Sequence, residues 1–330
     1  MVQTMKVSRL ISISPLAWVV IVATTLVMLQ GALVRATGSG AGCGSHWPTC
    51  NGNVIPLTGS AETLMEYSHR ILSLLVLVLG VLLLVKTWKW RHSRPGLFVF
   101  ATIAFVFLIF EALLGGVTVL LGLTGDNTTV ARGIMVASHL VNSLLLIGAL
   151  TGTILYAQEK SPIWPLGIKR QGVLASVIGL GLIGMFILMF SGGIAAMGNT
   201  MFPTESLAEG LAADFTASSH PLIRLRILHP VIAVGVGIYL FLSLGLAWRI
   251  KPVSQALRLV QYLCAVYVVQ LVIGAVNVTL LAPVILQLLH LTFAILAFAL
   301  LSAVFIVELG FPANKAVVGL GKWAKTEKRV

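Results

Sequence analysis

Apolar residues fall in eight long runs along this chain, at 15–35, 64–85, 96–122, 133–157, 171–195, 222–248, 257–281 and 285–308. Each is about long enough to cross the hydrocarbon core of a bilayer as a helix. The pattern therefore predicts an all-α integral membrane protein with eight transmembrane helices. Lys6 and Arg9 precede the first run, as they would in a signal peptide. Its apolar stretch from Pro15 to Val34 is longer than a signal core, so it is expected to stay as an anchor.

Composition agrees: of 330 residues, 58% are apolar and 10% charged. The formal charge of +12 could suit nucleic acid, but most of the Lys and Arg sit in short connections between runs. There they report orientation, and no basic face remains to track a phosphate backbone. The N-terminus (Lys6, Arg9), the connections holding Lys86, Lys89, Arg91, Arg94, Lys160, Lys169, Arg170, Arg249, Lys251 and Arg258, and the tail from Lys315 to Arg329 contain 17 of the 22 cations. The other side has Arg35, Arg70, Arg132, Arg224 and Arg226. Both termini are expected in the cytoplasm, with the first and third outer loops the long ones. The five outer arginines lie near run ends. Singly they read as side chains snorkelling to the interface; as a group, and Arg70 above all, they would suit anionic carboxylates that Arg can clamp.

Polar residues inside apolar runs are costly and so informative. Glu66-Tyr67-Ser68-His69-Arg70 opens the second run, with Glu66 and His69 on one helix face. His139, His229 and His290 take similar places in three other runs. These positions repeat: His69 and His229 are 160 residues apart, His139 and His290 are 151 apart, and Gly31-Ala32-Leu33 and Gly192-Gly193-Ile194 are 161 apart. Leu114-Gly115-Gly116-Val117 and Ile273-Gly274-Ala275-Val276 are offset by 159. The chain thus reads as two four-helix halves, 1–165 and 166–330, in a parallel repeat. All four histidines would lie at one depth toward the outer face, and two imidazoles from facing helices can ligate a haem iron from both sides. Four polar residues bonded to neighbouring helices is the plainer alternative. His46, His92 and His220 lack repeat partners and read as ordinary.

The halves differ at one place. Arg226 stands where the repeat puts the counterpart of Glu66, so only the first half has a carboxylate beside its histidine. That marks Glu66 as a catalytic candidate, against an interfacial carboxylate paired with Arg70. Glu111, mid-run with Gln270 as its repeat partner, is a weaker candidate and reads as a polar bridge between helices. Two of the three cysteines, Cys43 and Cys50, lie in the first outer loop, on the oxidising side. This points to a disulfide, though a redox-active dithiol has the same spacing. Cys264 reads as a small buried apolar residue.

The run Gly31-Ala32-Leu33-Val34-Arg35-Ala36-Thr37-Gly38-Ser39-Gly40, with Cys43, Trp47-Pro48, Cys50 and Glu66-Tyr67-Ser68-His69-Arg70, resembles the haem A synthase family. The resemblance covers the whole chain; in the second half it rests on His229-Pro230 and on position. It implies oxidation of the C8 methyl of haem O to a formyl group by two hydroxylations, giving haem A for cytochrome oxidase. It implies His69 and His139 as ligands of the substrate haem, and His229 and His290 as ligands of a permanent haem b. It implies Glu66 as the acidic residue of the reaction, Cys43 with Cys50 as the loop disulfide, and the cell membrane as location. Haem O synthase and a second copy of the chain are candidate partners, besides membrane lipid; the electron partner is not named by the sequence. Two rival readings use the same histidines: a di-haem cytochrome b that transfers electrons, and a haem-delivery protein. Glu66, present in one half, favours the enzyme over both.

Overall fold

The computed structural model describes residues 13–311, apart from 57, 58, 170 and 252. Lys6, Arg9, Arg170 and the cations from Lys315 onward, which entered the orientation argument, lie outside the described residues. Eight helices are long and apolar enough to cross a membrane: α1 (Ile13–Ala36), α2 (Ala61–Trp88), α3 (Pro95–Leu120), α4 (Val130–Tyr156), α5 (Gly172–Met201), α8 (Leu228–Ile250), α9 (Ser254–Thr279) and α10 (Val284–Gly310). Two shorter helices, α6 (Leu207–Phe215) and α7 (Pro221–Arg224), lie between α5 and α8. No strand occurs among the described residues. Each expected run is found, with ends moved by a few residues.

Local chemistry accounts for the boundaries that matter. Ser60 caps α2 by accepting from the Thr63 amide, with Glu62 in the first turn where the helix dipole favours an anion. Pro95 opens α3 at a position whose N–H would go unused. The sixth run, expected from 222, is instead broken at 225–227, so that α8 starts at Leu228. Pro230 is the reason: it has no N–H, and its ring collides with the carbonyl four residues back, so a helix can hold it only in the first turn. His229 therefore sits at the very start of its helix, whereas His69 lies two turns into α2.

Helix contacts follow the same cycle in both parts of the chain. In the first, α1 packs on α2, α2 on α3, α3 on α4 and α4 back on α1; in the second, α5, α8, α9 and α10 do likewise. The parts meet through α4 against α5 and α10, and α1 against α10. The fully buried side chains concentrate there: Leu144, Ile147, Leu150, Phe298 and Leu301 are all 2% exposed or less. On the outer surfaces Leu74, Leu82, Val231, Leu242 and Ile285 are exposed. An apolar girdle of this kind is what a lipid-facing surface requires and water would penalise. Ile13, Ala17 and Val20 of α1 are buried against the other helices, so the first run is built into the bundle.

Candidate functional site

Each of the four singled-out histidines has its ring against a glycine on a neighbouring helix of its own half. A Cβ on Gly31 would stand 3.0 Å from Cε1 of His69, and one on Gly192 2.9 Å from Cε1 of His229. A Cβ on Gly274 would stand 2.9 Å from Cε1 of His290, and one on Gly115 3.5 Å from Nε2 of His139. These are the repeated glycines of the sequence. They remove a methyl group where an imidazole must lie against a helix backbone, so helix, ring and any flat ligand can approach closely.

Two of the histidines come together across helices. His229 and His290 have ring centroids 6.2 Å apart at an interplanar angle of 81°. Two imidazoles that share one metal, at about 2.0 Å per bond, stand with centroids roughly 6 Å apart. His69 rests on α1 and His139 on α3, within the same cycle of helices. Nδ1 of His229 meets the hydroxyl of Ser191 and the carbonyl of Leu188, each at 3.2 Å. On His139 the carboxylate of Glu111 takes Nδ1. Nδ1 of His69 and Nδ1 of His290 are buried with no partner. A buried imidazole nitrogen left unpaired costs free energy unless something absent from the protein occupies it. With two rings tied at Nδ1, two carrying an orphaned nitrogen, and a glycine beside each, the residues fit a pair of haem groups.

The segment 37–56 packs on the start of α2 and on α3. Cys43 and Cys50 form a disulfide with Cα atoms 4.4 Å apart. Both sulfurs are fully buried. Gly42 lies directly on the start of α2: a Cβ there would fall 2.4 Å from the carbonyl carbon of Glu62. Thr63 Oγ1 donates to the Gly42 carbonyl at 2.7 Å. Trp47 lies flat on α3, where a Cβ on Gly116 would meet its ring at 2.9 Å. Glu66 is 4% exposed and has both oxygens engaged. Oε1 pairs with Arg70 at 2.5 Å, and Oε2 accepts from the Cys43 amide at 2.9 Å. Arg70 also donates to the carbonyls of His46 (2.7 Å) and Thr49 (2.6 Å). Glu66 and Arg70 are thus the bolts that hold the disulfide loop to α2, one turn from His69.

The second half uses the repeat position of Glu66 in the same way with the opposite charge. Arg226 pairs with Asp214 of α6 at 2.7 Å and donates to Asn199 Oδ1 at 3.1 Å. It ties down the helix in that loop, which the sequence did not announce. Arg35, another of the five arginines, reaches across to α5 and α10: it donates to the Ala196 carbonyl at 3.0 Å, to Thr200 and to Gln287 Oε1 at 2.7 Å. Arg132 holds the carbonyls of Gly125 and Asn127 at 2.5 and 2.9 Å. His220 accepts from the Leu222 amide at 3.3 Å as the cap of α7, an ordinary role.

Two partners in the site were undervalued by sequence reasoning. Glu111 reaches His139, and Gln270, its repeat counterpart, brings its amide nitrogen 3.1 Å from Nε2 of His290. The common offset of 159 was the signal.

Residues 14–302 match the cytochrome oxidase assembly protein family, COX15-CtaA. The chain belongs to that family. Over 282 residues it is 42% identical to a protein named protoheme IX farnesyltransferase from Thermus thermophilus, a match covering 84% of this chain and 45% of that one. Haem A synthases from Alkalihalophilus pseudofirmus and Shouchella clausii are 46% and 43% identical over 98 and 97 residues. Those matches cover 29% of this chain in each case, and 33% and 32% of the synthases. The match thus takes up less than half of the Thermus relative's length and about a third of the two synthases'.

Proposed function

We propose that this chain is a haem A synthase: an oxidoreductase that converts the C8 methyl of haem O to a formyl group for cytochrome oxidase. The observation that carries the reading is the set of four imidazoles, each lying against a repeated glycine. Family membership and the haem A synthases among its relatives support it. The two halves, 1–165 and 166–330, are pseudo-symmetric four-helix bundles, a reading supported by the matching cycle of helix contacts. The first takes haem O on His69 and His139. The second holds haem b on His229 and His290, a group that supplies one-electron chemistry when bound.

The overall change adds water and removes electrons. The methyl and one water give the alcohol with two protons and two electrons released; a second such step gives the hydrated aldehyde, which loses water to the formyl group, and the four electrons leave one at a time to an external one-electron acceptor. Glu66 is the base that takes a methyl proton. Arg70 and the Cys43 amide bond its two oxygens and fix its orientation. Arg70 also contributes positive charge on the propionate side. The disulfide loop and Trp47 shield the reacting carbon from bulk water. The protein lies in the cell membrane with both termini cytoplasmic, as the distribution of Lys and Arg supports, and with its haem sites toward the outer face. Haem O, carrying a farnesyl-derived tail, enters sideways from the bilayer. A haem O synthase is the natural supplier, and the Thermus relative's name as a farnesyltransferase supports that link.

The test is haem extraction with chromatography and mass spectrometry, from cells that supply haem O with and without this chain. Haem A, or its alcohol intermediate, is expected only with the intact chain. Recovery of haem b and unchanged haem O alone, with an active electron carrier present, would sink the proposal in favour of an electron-transfer cytochrome.

A further inference from the structure

We propose that Glu111 is a positioning residue that makes the two histidine sites electronically unequal, holding a haem iron on His139 at a lower reduction potential than one on His290. The inference rests on the haem reading above only in requiring that both sites take haem.

Glu111 on α3 and Gln270 on α9 are repeat counterparts, and each reaches the histidine of the next helix, Glu111 at Nδ1 of His139 and Gln270 at Nε2 of His290, whose Nδ1 is the nitrogen left open. One contact is a carboxylate and the other a neutral amide. The Glu111 carboxylate touches Nδ1 of His139 with Oε2 and accepts from the Ser143 hydroxyl with Oε1. Among the described residues no Lys or Arg pairs with it. A carboxylate in a membrane span without a cation is expensive, and such residues are kept where a positive charge will answer them. The ring supplies the route. With Nδ1 set against Glu111, Nε2 of His139 faces away from the carboxylate, on the side where Gly115 leaves room. A cationic metal there completes a carboxylate–imidazole–metal line.

A carboxylate on the far nitrogen makes an imidazole a stronger donor and fixes its orientation. A stronger donor favours the ferric over the ferrous state, so the first-half iron is easier to oxidise. Gln270 is 9% exposed and brings no charge to His290. Its half keeps the higher potential. The inequality suits a first site whose occupant must lose electrons and a second that accepts them, and it is independent of Glu66, which is bonded to the Cys43 amide and Arg70.

The experiment is a spectroelectrochemical titration of the full-length, haem-loaded protein in lipid nanodiscs, with electron paramagnetic resonance of the ferric form. Glu111→Gln and Gln270→Glu are compared with the parent, and His139→Ala and His290→Ala assign the two components. Glu111→Gln is expected to raise the lower midpoint, increasing the ferrous-to-ferric ratio at fixed potential about tenfold, or about 59 mV, with the upper midpoint unmoved. Gln270→Glu is expected to lower the upper midpoint. A purely structural Glu111 would change haem content or stability but not the midpoint of the haem retained. Unchanged midpoints in both variants, at unchanged haem content, would overturn the proposal. If Glu111→Gln does not assemble, Gln270→Glu decides, since the parent residue there carries no charge to lose. If His139→Ala leaves haem content untouched, it is the haem reading of the first site that fails, a result distinct from unmoved potentials.

Discussion

A valine side chain at Gly274 or Gly192 would begin 2.9 Å from the imidazole of His290 or His229, and neither ring can retreat within a packed helix pair. Gly274→Val is therefore expected to lose the second-half haem almost completely. Gly179 has open space where its Cβ would be, so Gly179→Val should keep full haem content. Haem-to-protein ratios of the two purified variants check this, and equal ratios would refute it. Glu66→Gln removes the proton acceptor while keeping most of the shape. Haem O conversion should fall a hundredfold or more, within the usual range for a positioned base, with haem b still bound. Normal conversion in that variant would remove Glu66 from the chemistry and leave it only the task of holding down the loop.

At the scale of elements, the segment 37–56 is held by three kinds of contact: the Cys43–Cys50 disulfide, the Glu66–Arg70 pair and the seat of Trp47 on Gly116. Cys43→Ser with Cys50→Ser releases a short covalent loop, worth about 2.5 kcal/mol on a chain-entropy estimate. The expected outcome is faster proteolysis within the loop while the helical circular dichroism stays the same, because α2 is capped by Ser60 and not by the disulfide. Loss of helix signal in the double variant would contradict this division of labour. The break before α8 is likewise a local matter, dictated by Pro230.

For the whole molecule, Arg35 links the two parts of the chain. From α1 it reaches a carbonyl and a hydroxyl on α5 and an amide oxygen on α10. Arg35→Met would leave these acceptors without their charged donor in a part-buried place, at a cost on the order of 3 kcal/mol. A lower thermal midpoint is expected, with early loss of the contact between α1 and α10. An unchanged midpoint would show that α4, packed on both α5 and α10, holds the parts together by itself.

Hydropathy by itself determined the eight helices, because a bilayer allows few ways to satisfy a backbone and a helix of apolar residues is one of them. The repeat of His69, His139, His229 and His290, with Gly31, Gly115, Gly192 and Gly274, was equally legible, since intramembrane polar groups stand out against an apolar background. Their use was not. Only the packing showed that each glycine makes room for one ring, because that contact joins different helices and no spacing along one helix encodes it. Tertiary structure also decided where charges go. Arg70 and Arg226, alike to a count of cations, each bolt down a different loop, while Arg35 spans the two parts. The same holds for Glu111 and Gln270, whose offset could be read but whose meeting with His139 and His290 depends on how α3 packs on α4 and α9 on α10. The break at Pro230 was within reach of the sequence, but the long apolar run hid it, because hydropathy is blind to a missing N–H.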